Sequence, residues 1–83
     1  MYRVLLLPAA QRDLDHLDPH LLRKIKEKIR ALSAEARPFG AIKLTAQDGY
    51  RFRSGDHRIL YRIDDKRKVI YIYRVKHRRD SYR

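Results

Sequence analysis

The spacing of apolar residues changes several times along the chain, and each change predicts an element. Tyr2 to Leu7 is apolar on both faces and stops at Pro8, the pattern of a short strand. Pro8 suits the first turn of a helix. Ala10, Leu14 and Leu17 then recur at i, i+4 and i+7, which predicts a helix over Ala9–Leu17. Asp18-Pro19 is a start signal, a capping carboxylate before a proline. From Pro19 to about Glu35, Leu21, Leu22, Ile25, Ile29 and Leu32 form one apolar stripe, with Arg23, Lys24, Lys26, Glu27, Lys28 and Arg30 mainly on the wet side. After Pro38-Phe39-Gly40 the period falls to two. Strands are predicted over Ala41–Thr45, Tyr50–Arg53, His57–Ile63 and Val69–Lys76, with turns at Gln47-Asp48-Gly49, at Ser54-Gly55-Asp56 and over Asp64–Lys68. Val69–Val75 is apolar on both faces and belongs inside the sheet. The order predicts an α+β fold: a strand, a two-helix hairpin, then an antiparallel β-meander, with the helices packed on one sheet face.

Length and composition narrow the chemistry. The 83 residues make one small domain, 1–83. No cysteine is present, which excludes thiol catalysis, Cys-ligated zinc and disulfides and fits a reducing compartment. The longest apolar run, Val4 to Leu7 extended through Ala10, is too short for a membrane span, and Gln11-Arg12-Asp13 interrupts it too early for a signal peptide. A cytoplasmic protein without membrane association is expected. The four histidines lack metal-ligand spacing, so neither metal nor cofactor is expected. The net charge is +11, and it is uneven. Residues 1–50 carry nine Lys/Arg against six Asp/Glu, residues 51–83 twelve against four. The basic excess therefore falls on the predicted meander, where strands hold charges at fixed distances, and it points to polyanionic partners.

A two-residue Gly55-Asp56 turn sets the hairpin register. Ser54 then faces His57, Arg53 faces Arg58, Phe52 faces Ile59, Arg51 faces Leu60 and Tyr50 faces Tyr61. Alternation puts Tyr50, Phe52, Ile59, Tyr61 and Ile63 under the helices, and Arg51, Arg53, Arg58 and Arg62 on the other face around Leu60. Arg74, Lys76 and Arg78 continue that second face. Like charges opposite one another are destabilising. A solvated arginine surface is one reading of this face. A phosphate-binding surface is the other, since guanidinium forks match phosphate oxygens and stay charged. By composition alone, RNA, DNA and an acidic protein all fit.

Three segments carry a family resemblance. Tyr-Arg-Phe-Arg-Ser-Gly-Asp-His-Arg-Ile-Leu-Tyr (50–61), Val-Lys-His-Arg-Arg-Asp-Ser-Tyr-Arg (75–83) and Pro-Ala-Ala-Gln-Arg-Asp-Leu-Asp-His-Leu (8–17) resemble the RelE-type toxins of bacterial toxin–antitoxin pairs. The resemblance runs from about residue 2 to residue 83 and implies a RelE-like, microbial-ribonuclease-like fold. It further implies a metal-independent endoribonuclease that cleaves mRNA on the ribosome, held in check by a cognate, acidic antitoxin and touching operator DNA only through the antitoxin complex. It places Arg51, Arg53, Arg58, Arg78 and Tyr82 at catalytic positions. Arg62, Arg74, Lys76 and His57 would support RNA binding. The chain departs from the ribosomal nucleases of the family, which carry lysines where it has Arg51 and Arg53. Arginine does not accept a proton, so the general base is open among His57, His77 and Tyr82. His77, beside Arg78, is included in the catalytic set. Two other readings stand beside the nuclease: a toxin of the sister ParE branch that inhibits DNA gyrase, and a catalytically degenerate member that only binds its antitoxin.

Overall fold

A computed structural model of the chain describes residues 1–79. Strand β1 (Arg3–Leu6) runs into helix α1 (Pro8–Asp15), which turns directly into α2 (Pro19–Ala34). The strands β2 (Ile42–Lys43), β3 (Tyr50–Ser54), β4 (His57–Asp64) and β5 (Val69–His77) follow. They form one five-stranded sheet in the order β1-β5-β4-β3-β2. β1 lies parallel to β5, and every other pair is antiparallel. β5 is an inner strand, as its two-sided apolar sequence requires.

The predicted helix signals operate. Pro8 and Pro19 occupy first-turn positions, and the Asp18 carboxylate accepts the Leu21 N–H at 2.9 Å. Both helices lay their apolar stripes on one sheet face. Ala10 and Leu14 of α1 meet Ile25, Ile29 and Leu32 of α2, and these pack on Phe52, Ile59, Tyr61, Ile70, Ile72 and Val75. Tyr61 is fully buried, and its hydroxyl donates to the Ala36 carbonyl at 2.8 Å. Burial, then the neighbouring Tyr50, push its pKa up to about 12.

Two local features differ from simple alternation. The strand predicted over Ala41–Thr45 reduces to Ile42–Lys43, because the Leu44 N–H already donates to the Gly49 carbonyl at 2.9 Å to close the next loop. Gly49 is required there: with φ at +122° it lies so close to β4 that a Cβ would meet the Tyr61 carbonyl oxygen at 2.7 Å. The second feature is a β-bulge. Tyr61 pairs with Ile72 but Leu60 pairs with Arg74, so Tyr73 is an extra residue on β5. Unbroken alternation would put Ile70, Ile72 and Arg74 on the same face. The bulge lets Ile70, Ile72 and Val75 all enter the core while Arg74 and Lys76 sit opposite Leu60 and Arg58.

Candidate nucleic-acid interface

The β3–β4 hairpin has the register its turn chemistry predicts, from Ser54 opposite His57 to Tyr50 opposite Tyr61. Gly55, at φ +58°, opens the two-residue turn. The helix-free face therefore carries a row of cations across three adjacent strands: Arg53 on β3, Arg58 on β4 and Lys76 on β5 are direct partners. Neighbouring strands lie about 4.8 Å apart. A second row runs Ile42, Arg51, Leu60, Arg74. Gly40, Ile42, Arg51, Arg53 and Arg58 line a cleft of about 310 Å³ at the β2 edge of this face. Among the described residues, neither Arg51 nor Arg53 has a carboxylate at ion-pairing distance. Three guanidinium groups around one concavity favour a tetrahedral oxyanion over any neutral ligand.

The remaining predicted residues are dispersed. Arg78 stands at the hairpin tip, where its N–H donates to the Asp56 carbonyl at 2.7 Å and its guanidinium lies 3.9 Å from the Asp56 carboxylate. Arg74 turns away from the cleft onto α1. Its Nε and Nη2 donate to the two carboxylate oxygens of Asp13 at 2.8 and 3.1 Å, and the Val75 N–H donates to the same group at 2.8 Å. Burial opposes the charge on Asp13, but the bonds from Arg74 and Val75 outweigh it and hold the carboxyl below its ordinary range. Arg62 is exposed, with its guanidinium 5.2 Å over the Tyr73 ring, and lines a separate concavity with Leu7, Ile63 and Tyr71. Tyr82 lies outside the described residues.

His57 and His77 are brought together, but not with the arginines. They are partners across β4 and β5, with ring centroids 5.1 Å apart at 90°. They line a 650 Å³ cavity on the α2 side of the sheet with Leu21, Lys24, Glu27 and Lys28. Parity explains this, since His57 lies two residues before the buried Ile59 and shares its face.

Sequence reasoning missed four residues, two lining the cleft and two in ion pairs away from it. Gly40 and Ile42 form the cleft wall, a consequence of how β2 closes the sheet edge. Asp13 fixes Arg74 from 61 residues away, and no local pattern announces such a partner. The fourth is Arg37, whose Nη2 meets Asp65 at 2.8 Å and whose Nε donates to the Tyr50 hydroxyl at 2.9 Å. Asp65 also accepts the Tyr2 hydroxyl, and these two donors, Arg37 first, hold its pKa down at about 2.

The fold and cleft define a small α+β domain with two helices on one sheet face and an arginine cleft on the other, and comparison with known proteins gives its class. The model of the ParE toxin of type II toxin–antitoxin system, parDE, matches residues 4–82. Toxin RelG of Mycobacterium tuberculosis (strain ATCC 25618 / H37Rv) is 37% identical over 84 residues, covering 99% of this chain and 97% of that protein. The toxin–antitoxin complex RelBE2 of the same species contains a chain that superposes with a TM-score of 0.83 at 34% identity, over 92% of this chain and 96% of that one. The archaeal RelE–RelB complex from Pyrococcus horikoshii OT3 gives a TM-score of 0.79 at 31% identity, over 93% and 94%. The chain belongs to the ParE toxin family of type II toxin–antitoxin systems, within the RelE/ParE superfamily.

Proposed function

We propose that this toxin is a metal-independent endoribonuclease that cleaves mRNA on the ribosome and so stops translation. The observation that carries the reading is the cleft lined by Arg51, Arg53 and Arg58, with Lys76 next in the cation row Arg53–Arg58–Lys76. In metal-free cleavage the 2′-hydroxyl attacks its own phosphorus. The bond to the leaving 5′-oxygen breaks, the 2′ proton passes to solvent water, and solvent returns a proton to the 5′-oxygen. Charge builds on the non-bridging oxygens during the step. Arg51, Arg53 and Arg58 are the donors for those oxygens, with Lys76 and Arg78 on the flank. Arginine holds and stabilises but does not take a proton. His57 and His77 meet beside α2 and line its cavity, not the arginine cleft. Acceleration then rests on orientation and charge, which ribosome-bound geometry reinforces.

The charge of +11 calls for a counter-charge, and the partner that supplies it is a cognate acidic antitoxin. Support comes from the relatives crystallised as toxin–antitoxin complexes. Operator DNA is contacted only through that complex. The site of action is the cytoplasm, where translated mRNA is found. Among the described residues no helix is long and apolar enough to cross a membrane.

The matching family model is described as the parDE toxin, which gives the gyrase-inhibiting reading its own support. Primer extension on mRNA under translation, run beside a gyrase cleavage assay, separates the two. Discrete ribosome-dependent cuts with unaffected gyrase are expected. Intact mRNA with trapped gyrase–DNA complexes would replace this reading with the gyrase one, and neither effect would leave an antitoxin-binding protein without catalysis.

A further inference from the structure

Phe39 is the most exposed large apolar residue of the described chain, at 104% of its reference area. One exposed apolar side chain is ordinary on a protein surface. Three observations set this one apart. The first is its rigidity. Phe39 is the second residue of a four-residue turn, Pro38 to Ala41, closed by the Ala41 N–H donating to the Pro38 carbonyl at 2.9 Å, and Gly40 supplies the positive φ, +97°, that such a turn needs at its third position. The ring is thus held out on a pinned backbone rather than left on a loose loop.

The second observation is position. Gly40, the next residue, already lines the arginine cleft, and so does Ile42, 49% exposed and paired with Arg51. Ile42 therefore borders the cleft at its β2 edge, beside the guanidinium groups, and Phe39 is the residue that leads the chain into the cleft wall at Gly40. The third is chemical pairing. An apolar ring next to an oxyanion cleft matches a ligand with a flat π-face attached to a phosphate, and an unpaired nucleotide is such a ligand. A protein partner would present no fixed pairing of ring and phosphate.

Resting on the nuclease reading above, we propose that Phe39 is a positioning residue that stacks on an unpaired base next to the phosphate held by Arg51, Arg53 and Arg58. Stacking fixes the strand's lateral register on the cleft, so Phe39 decides which phosphodiester lies over the arginines. Because the contact is to a base face, it tolerates all four bases and favours the larger purines.

The test measures binding of a short unpaired RNA to the full chain, with one probe intact and a second carrying an abasic site at one internal position, scanned along the strand. Phe39→Ala is expected to weaken binding of the intact RNA about 10-fold and to leave its salt slope unchanged, whereas Phe39→Trp retains or tightens it. For one abasic position the Phe39→Ala effect vanishes. Arg53→Ala, in contrast, weakens both probes and lowers the salt slope by about 0.7, one phosphate's worth. Melting temperature checks the fold; Phe39→Ala is expected to leave it unchanged, since the ring buries nothing. If Phe39→Ala binds like wild type while Arg53→Ala fails, the stacking role falls and the nuclease site stands. If neither substitution weakens binding, both fall. If Phe39→Ala weakens every abasic probe equally, or only weakens capture by a separate protein, the base contact is wrong.

Discussion

The two ends of β4 treat arginine in opposite ways. At the Asp64 end, Arg37 is exposed but paired: Asp65 takes its guanidinium, Tyr50 takes its Nε, and the Tyr50 ring lies 5.3 Å beneath it. At the His57 end, Arg58 stands between Arg53 and Lys76, cation beside cation. The first arrangement lowers the energy of the folded chain by itself. The second places like charges opposite one another, an arrangement that an anion between them would favour. An arginine's surroundings therefore separate fold from function here better than its exposure does. Arg74 shows the same contrast within a single register row: it shares the row with Arg51, yet a bidentate Asp13 draws it off the basic face.

The largest effect is expected from breaking the hairpin end. Arg58→Ala should lower cleavage of translated mRNA about 100- to 1000-fold, the loss of one transition-state donor. Thermal stability should hold, because Arg58 lies outside the apolar core under the helices. Single-turnover cleavage and a melting curve read the two halves separately. A wild-type rate, or a collapsed fold, would contradict the assignment.

Asp13→Ala sharpens the contrast from the other side. It removes the acceptor for Arg74 and for the Val75 amide, beyond the stretch of β5 that β1 covers. A cost of about 2 kcal/mol is expected in urea unfolding, in the range for hydrogen bonds to a charged group. Once the variant is held at a temperature where it is folded, RNA binding should be close to wild type or tighter, since Arg74 is released onto the basic face.

How much of this was legible before the structure depends on how local each determinant is. The hairpin register and its faces follow from Gly55 and strict alternation, and both hold from Tyr50 to Tyr61. The helices follow from Pro8, Pro19, Asp18 and a single apolar stripe. The bulge was foreshadowed by apolar spacing that lengthens from two to three between Ile72 and Val75, although its meaning needs the partner strand. Arg62 shows the limit of alternation. Its face is the one expected, but its guanidinium leans on Tyr73 and lines a different concavity. The histidine pair and the Arg37–Asp65 contact depend on α2 and on chain segments far apart in sequence, which no local period encodes.

A smaller effect is expected from acid. Asp65 has its pKa depressed to about 2 by Arg37 and Tyr2, and that of Asp13 is also lowered by its partners. A carboxylate depressed in the folded state contributes stability that is present above its unfolded pKa, about 3.9, and lost as pH falls through the folded value. The contribution of the Arg37 end should therefore drain away between about pH 4 and pH 2. Asp65→Asn should be less stable than wild type at neutral pH and should lose less on acidification over that window. Parallel acid curves for the two proteins would show that the network carries no linked stability.

The central claim is that the hairpin arginines serve the substrate while Arg37 serves the fold. Single-turnover cleavage of mRNA on a programmed ribosome, by wild type, Arg58→Ala and Arg37→Ala at a temperature where all three are folded, tests it most directly. The account predicts a loss of about 100-fold or more for Arg58→Ala and a rate within a few-fold of wild type for Arg37→Ala, whose melting temperature alone drops. Equal losses in the two variants, or a wild-type rate for Arg58→Ala with the defect confined to Arg37→Ala, would contradict it.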